Sequence, residues 1–379
     1  MLETALFVLF LYFILAFILL ESLTRTPVMR LVEVGSADLP SVSVVIAARD
    51  EEEKIEEALQ SILTMKYDSL EVCVVDDRST DRTPAILHSL QIRYPFLKIV
   101  RIDTLPKGWI GKNHALFQGA RASRGDYLLF TDADVVYSRS ILKKVMTYVT
   151  AHELDHLTVL PRIWSRSYYL DSFISFFGMC FILFCRPTKV RDPRSRHFIG
   201  VGAFNLVRRT SYEKAGGHQT ICLRPDDDVK LGKILKLGGA KCDCASESKE
   251  IYCEWHATLW SALRGLEKSS FPGLDYKVLS LVFFSVSLAI LFLGPYLGVL
   301  FASGSPRLVF LTCCIISMAC LSYCSAKIGG RIEVGLYFPI LAVLFLFMMV
   351  DSALRVLIKG GIHWRGTFYP LSELRGNKV

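Results

Sequence analysis

Two carboxylates one residue apart, Asp132 and Asp134, interrupt the apolar run LLFTDADVVY at residues 128–137. On an extended segment they share a side. They offer hard oxygens of the kind that hold Mg²⁺ or Mn²⁺ while substrate phosphates fill the remaining positions. The plainer reading of an isolated Asp-x-Asp is a turn that caps a helix. Two further acidic clusters change the balance: VVDDRSTDRT at 74–83, with Asp76 and Asp77, and RPDDDVKLGKIL at 224–235, with Asp226, Asp227 and Asp228. Three adjacent carboxylates repel one another, which favours a raised pKa on one of them and a role as general base. Helix capping with dipole compensation is the structural alternative. Downstream, residues 254–268 place Trp255, Trp260, Arg264 and Lys268 at near-helical spacing. Aromatic faces mixed with cations suit a sugar and a departing diphosphate.

These residues need a scaffold that brings strand ends together. SVSVVIAA at 41–48 reads as a strand, and the stretch after it has Ile55, Leu59, Ile62 and Leu63 at helical spacing. Strands at 71–75, 97–102 and 126–131 alternate with helices at 84–93, 112–123 and 141–149. That alternation predicts an α/β fold on a parallel sheet, with ligands at the carboxyl ends of its strands. A dinucleotide-binding domain would carry G-x-G-x-x-G after the first strand; here Arg49, Asp50, Glu51, Glu52 and Glu53 occupy the turn, which repels phosphate and argues against a nicotinamide enzyme. Gly200 and Gly202 allow close backbone approach to a ligand or a neighbouring strand.

The chain has 379 residues, 52% of them hydrophobic, too apolar for an ordinary soluble protein. Residues 4–20, 278–302, 308–326 and 334–350 are free of charge, which predicts one N-terminal and about three C-terminal membrane helices around a polar middle. The leading residues lack the positive charge of a secretory signal, so the first segment reads as an uncleaved anchor. Arg25 and Arg30 follow it and place the middle domain in the cytoplasm, and the basic residues Arg355, Lys359, Arg365, Arg375 and Lys378 ask the same of the tail. Three full crossings would put that tail outside, which a re-entrant segment resolves. The uncharged stretch 172–185 is shorter than a comfortable span and fits an interfacial or re-entrant helix or a core helix equally. The net charge of +8 is scattered, which suits an anionic bilayer surface and not nucleic acid. The eleven cysteines, many in apolar segments, read as reduced and buried. Cys242, Cys244 and Cys253 match no zinc spacing and read as packing.

In its order of motifs the chain resembles the membrane-bound family 2 glycosyltransferases with the GT-A fold. The likeness runs from Ser41 to about Lys277, and less specifically into the tail. Residues 47–51 resemble the family's opening P-A-R-N-E without its proline, which assigns Ala47, Arg49 and Glu51 to the nucleotide, Glu51 to uracil. Residues 75–81 resemble V-D-D-x-S-T-D, which gives Asp77 to the base or ribose, and 111–116 resemble G-K-x-x-A-L, which puts Lys112 by the diphosphate. The D-x-D match makes Asp132 and Asp134 the metal pair, with Asp134 the more direct ligand. The match of Asp227, Asp228 and Leu231 to E/D-D-x-x-L makes Asp228 the base. The Q-x-x-R-W of processive members is absent, and Trp260 and Arg264 stand nearby in its place, which favours a single transfer over polymer synthesis. GWIGK at 108–112 and RDPRSR with LVRR at 191–209 look like bacterial enzymes associated with hopanoids and carotenoids. HWRGTFYPL at 363–371 looks like the W-R-x-x-x-Y tail of the ceramide glucosyltransferase group.

The resemblance therefore implies a GT-A domain, Rossmann-like and specific for a nucleotide-diphospho-sugar, at 40–277, with the interfacial helix near 170–186. It implies an anchor at 1–30, transmembrane helices at 278–358 and a basic tail at 359–379, in a multi-pass protein of a bacterial plasma membrane. The expected reaction is inverting transfer from a UDP-sugar, with Mg²⁺ or Mn²⁺, to a lipid hydroxyl. A polyprenyl-phosphate acceptor, and a silent nucleotide-sugar-binding scaffold, are the alternatives.

Overall fold

Apolar runs between the amphipathic segments, rich in Val and Ile at residues 42–48, contribute to a mixed eight-stranded sheet. The computed structural model describes residues 1–35, 38–256 and 258–379, without the side chains of 267–269. The strands are β1 (Val42–Ala48), β2 (Leu70–Asp77), β3 (Leu97–Ile102), β4 (Tyr127–Thr131), β5 (Val136–Tyr137), β6 (His156–Trp164), β7 (Asn205–Arg208) and β8 (Cys242–Glu254). Their order is β3-β2-β1-β4-β7-β6-β8-β5. The first four strands in that order are parallel, and β7 then runs antiparallel to both β4 and β6. The sequence alternation found the parallel half. It did not find β5 to β8, whose partners lie far apart in the chain; β5 is only two residues long and pairs with Ile251 and Tyr252.

Two compact units divide the chain. The sheet unit takes residues 26–163, 187–254 and 365–379; the helical unit takes 1–25, 164–186 and 255–364. In the sheet unit the helix Ile55–Leu63 buries Ile55, Leu59, Ile62 and Leu63, the stripe read from the sequence. They join a core with Val42, Val44, Val72 and Leu129. Burying such side chains contributes roughly 1.5–3 kcal/mol each. The helix Gly111–Ala122 packs on the sheet through Gly119, where an added Cβ would strike Val45 and come within 3.0 Å of Val75 Cγ2.

The helical unit holds the helices long and apolar enough to cross a membrane, five among the described residues. Four are those read from the sequence. The fifth begins at Tyr168: counting only the uncharged stretch omitted the turn 168–171, which is helical, and its side-chain hydroxyl cap at Ser167 accepts from the Leu170 amide. Half of this helix's apolar window is buried within the protein, against 17% for Leu2–Arg25, so it faces other helices far more than the first one does. Phe176 accounts for much of that burial, meeting Phe338 and Phe292 edge-on at 5.3 and 5.8 Å between centroids. All eleven cysteines are free thiols; eight are buried, as their placement in apolar segments suggested, and Cys180, Cys222 and Cys320 are half-buried.

Gly119→Ala tests the helix-to-sheet approach. In an exposed helix this change gains about 1 kcal/mol. Here overpacking against two β-branched side chains reverses the sign and costs about 1–3 kcal/mol, read as a lower denaturant midpoint.

Candidate active site

The end of β4 is pinned to the loop that leads into β7. The Asp132 amide donates to the Gly202 carbonyl at 3.0 Å, and the Thr131 hydroxyl donates to the Ala203 carbonyl at 3.0 Å. Gly202 is required because a Cβ there would sit 2.5 Å from Asp132 Oδ2. At Gly200 a Cβ would collide with the carbonyl of Asp228. The close approach expected of these two glycines is therefore to the acidic residues themselves. It seats the start of the helix Asp227–Leu237 directly across from the end of β4.

The three adjacent carboxylates then separate into three environments. Asp226 is held by the buried Arg224 in a two-point pair at 2.8 and 2.9 Å, with Lys230 Nζ at 3.8 Å. Asp227 Oδ1 lies 3.6 Å from Lys112 Nζ. Asp228 accepts the Gly202 amide on Oδ2 at 2.7 Å and the Val229 amide on Oδ1 at 2.8 Å. Burial raises the Asp228 pKa, and the Lys112 charge opposes that rise without cancelling it. Lys112, in the first turn of Gly111–Ala122, also meets Asp132 Oδ1 at 2.8 Å. Burial works against its ammonium, but Asp132, Asp227 and Asp228 outweigh it and raise its pKa above the ordinary lysine value. One pocket is lined by Lys112, Asp132, Gly202, Asp227 and Asp228 together with Thr131, Asn205 and His218.

A second group lies at the ends of β1 and β2. The acidic turn after β1 is bolted to the Ser-Thr-Asp segment after β2: the amides of Asp50, Glu51 and Glu52 donate to Ser79 Oγ, Thr83 Oγ1 and Asp81 Oδ2 at 3.1, 2.9 and 3.0 Å. Asp50 and Arg78 both take left-handed backbone, φ 53° and 59°, which such crossing bonds can hold. Asp77 is gripped by Arg78 at 2.8 and 3.0 Å, with Arg49 Nη1 at 3.9 Å. Glu51 meets Arg365; burial raises its pKa and Arg365 partly offsets this. Ala47 is in register with Val75 at the end of β1.

Asp134 Oδ2 has Lys54 Nζ at 3.8 Å, and burial followed by repulsion from Asp132 pushes its pKa up to about 6. Such a carboxylate is short of positive charge. Asp132 and Asp134 fit a hard divalent cation as two donors, with the remaining positions left to substrate oxygens. Among the described residues no group of three or more His, Cys, Asp and Glu side chains is placed to hold a metal alone.

The structure thus brings Lys112, Asp132, Asp227 and Asp228 into one pocket, and Ala47, Arg49, Glu51 and Asp77 to the same sheet's strand ends. Trp260 and Arg264 belong to the helical unit, in a short helix Leu259–Gly265 where the guanidinium lies 5.2 Å over the indole. Trp255, in that unit as well, packs against Phe177. The Lys268 side chain lies outside the described residues. Asn205 and His218 were not found from sequence. The signal for Asn205 was a polar residue inside the apolar run AFNLV; for His218 the sequence offers only a histidine after the Gly216-Gly217 pair, and the structure buries its ring and bonds it through Nδ1 to the Tyr212 hydroxyl at 3.0 Å.

Residues 43–216 match the family model described as glycosyl transferase family 2. A beta-monoglucosyldiacylglycerol synthase of Synechocystis is 35% identical over 133 residues, 35% of this chain and 27% of the relative. A 4,4'-diaponeurosporenoate glycosyltransferase of Staphylococcus aureus is 26% identical over 48% of this chain and 47% of its own. The chain therefore spans half or less of the length of these curated relatives. A mannosyltransferase from Pyrobaculum calidifontis, solved with GDP-Man and Mn²⁺, superposes over 95% of this chain and 98% of its own, with a TM-score of 0.54 and 18% identity. That likeness is of fold, the GT-A architecture expected from the motifs.

The raised Asp134 pKa has a stability consequence with a definite sign. The folded state binds this proton more tightly than the unfolded chain, so the associated stability is full below about pH 4 and is lost as pH rises through about 6. Asp134→Asn is therefore expected to stabilise the protein by about 1–2 kcal/mol at pH 8 and to be neutral at pH 4, read from unfolding at the two pH values.

Proposed function

We propose, from the premise that this chain carries a family 2 glycosyltransferase domain of GT-A fold, that it moves a sugar from a nucleotide-sugar, a UDP-sugar, to the hydroxyl of a membrane lipid with inversion. The observation that carries this reading is Asp228. Both of its oxygens accept backbone amides, burial raises its pKa against the Lys112 charge, and it sits in a pocket with Lys112 and Asp132.

In this reading Asp228 takes the proton of the acceptor hydroxyl, whose oxygen forms the new bond at the anomeric carbon. The bond from that carbon to the nucleotide breaks on the opposite face and its electrons leave with the diphosphate. Lys112 supports the leaving charge, and Asp227 keeps Lys112 turned into the pocket. Glu51, Asp77, Arg49 and Ala47 hold the nucleoside. Arg264 and Trp260 are assigned from sequence, as a second cation and a stacking face. A Mg²⁺ or Mn²⁺ at Asp132 and Asp134 would supply further neutralisation of the diphosphate.

A lipid acceptor is supported by the five apolar helices among the described residues and by the diacylglycerol and diaponeurosporenoate in the names of the relatives. The sheet unit faces the cytoplasm in this reading, because Arg25 ends the first apolar helix and Arg30 follows it.

Asp228→Asn tests the base. Both Asp228 oxygens accept backbone amides, so an Asn turns its NH₂ toward one donor, and a stability loss of about 1 kcal/mol accompanies the change. Transfer to a membrane lipid extract is expected to fall by about 10²–10⁴ while UDP affinity stays within a few-fold. Near-wild-type transfer sinks the base assignment. Full activity of the variant toward polyprenyl phosphate, an acceptor already ionised, identifies that acceptor instead.

A further inference from the structure

The segment after residue 364 folds back onto the sheet unit and reaches groups far away in sequence. Arg365 pairs with the Glu51 carboxylate, and its Nη1 donates to the Arg49 carbonyl at 2.8 Å. Four residues on, the Tyr369 hydroxyl accepts the Gly111 amide at 3.2 Å. Tyr369 is buried and Arg365 partly exposed. Asn377 then fastens the segment: its Nδ2 donates to the Thr220 carbonyl at 2.9 Å, and its Oδ1 accepts the Leu223 amide at 3.1 Å. The strap thus runs from the acidic turn, past the N-terminus of Gly111–Ala122, to the loop that leads into Asp226, Asp227 and Asp228.

Each anchor meets a need that local sequence leaves open. Ile110 stands at the N-cap of Gly111–Ala122 and provides no side-chain cap, so the first orphan amide is satisfied from Tyr369 instead. Lys112 is the next residue of that helix. Glu51 is partly buried, and without Arg365 its carboxylate would lose the guanidinium that opposes its desolvation. A carboxylate free to rotate or to take up a proton is a poor acceptor for a nucleobase. Of the strap's contacts, one lands on the Glu51 side chain and one on the backbone amide that precedes Lys112, the two residues that the donor reading gives to the nucleoside and the diphosphate.

We propose that residues 365–369 belong to the donor site: Arg365 is the positioning residue for Glu51, and Tyr369 is the positioning residue for the helix end that carries Lys112. This rests on the donor reading given above.

Calorimetry with UDP, and with GDP in parallel, on the full chain in detergent tests it. Glu51→Gln and Arg365→Gln are each expected to weaken UDP binding about tenfold, and the double variant no further, because both changes act on one group. Arg365→Lys should recover part of the loss. Tyr369→Phe should weaken binding about three- to tenfold and raise the donor KM with kcat within about twofold, the split expected of a group that positions the donor. Unchanged UDP affinity in Arg365→Gln, or losses that add fully in the double variant, overturns the inference while leaving the donor reading in place. A wild-type chain that binds neither nucleotide removes the donor reading and this inference with it.

Discussion

One ammonium among three carboxylates organises this site. Lys112 Nζ stands 2.8 Å from Asp132 and 3.6 Å from Asp227, and Asp228 contributes to its raised pKa. Without it, the carboxylates at the end of β4 and at the start of Asp227–Leu237 would repel one another across the pocket. The lysine allows both to face one pocket. It also binds the site to the helix Gly111–Ala122, whose own seat on the sheet depends on the bare Gly119.

The acidic residues therefore fall into two classes. Asp226, held by Arg224 and Lys230, and Asp76, which accepts the Ser79 amide and meets Arg101, maintain backbone shape. Asp81 does so as well, tying together the two loops after β1 and β2. Asp134 and Asp228 carry raised pKa values, with burial the largest cause in both. Groups whose surroundings disfavour their charge are where ligand chemistry concentrates.

The helical unit follows from a different constraint. Apolar helices of more than twenty residues need no special sequence to form in lipid, since each satisfies its own backbone. Tyr168–Cys185 differs from the others in burying half of its apolar window through aromatic contacts such as those of Phe176. Length and hydropathy read the outer helices easily. A helix covered by its neighbours shows the same composition for another reason.

Sequence alone determined the elements whose signals are local. The stripe Ile55, Leu59, Ile62 and Leu63, the apolar runs of β1 to β4, and the carboxylates at their ends follow from periodicity, because one face or both must be buried. It also determined which carboxylates cluster. Tertiary structure decided which of them carry which environment. Asp226, Asp227 and Asp228 are equivalent as text, and only Arg224, Lys112 and the Gly202 amide, brought from separate elements, make them different. The contacts of Arg365 with Glu51 and of Tyr369 with Gly111 join residues more than 250 positions apart, where no periodicity can carry a signal. Charge environment is a sum over spatial neighbours, and the chain order records neighbours only along itself.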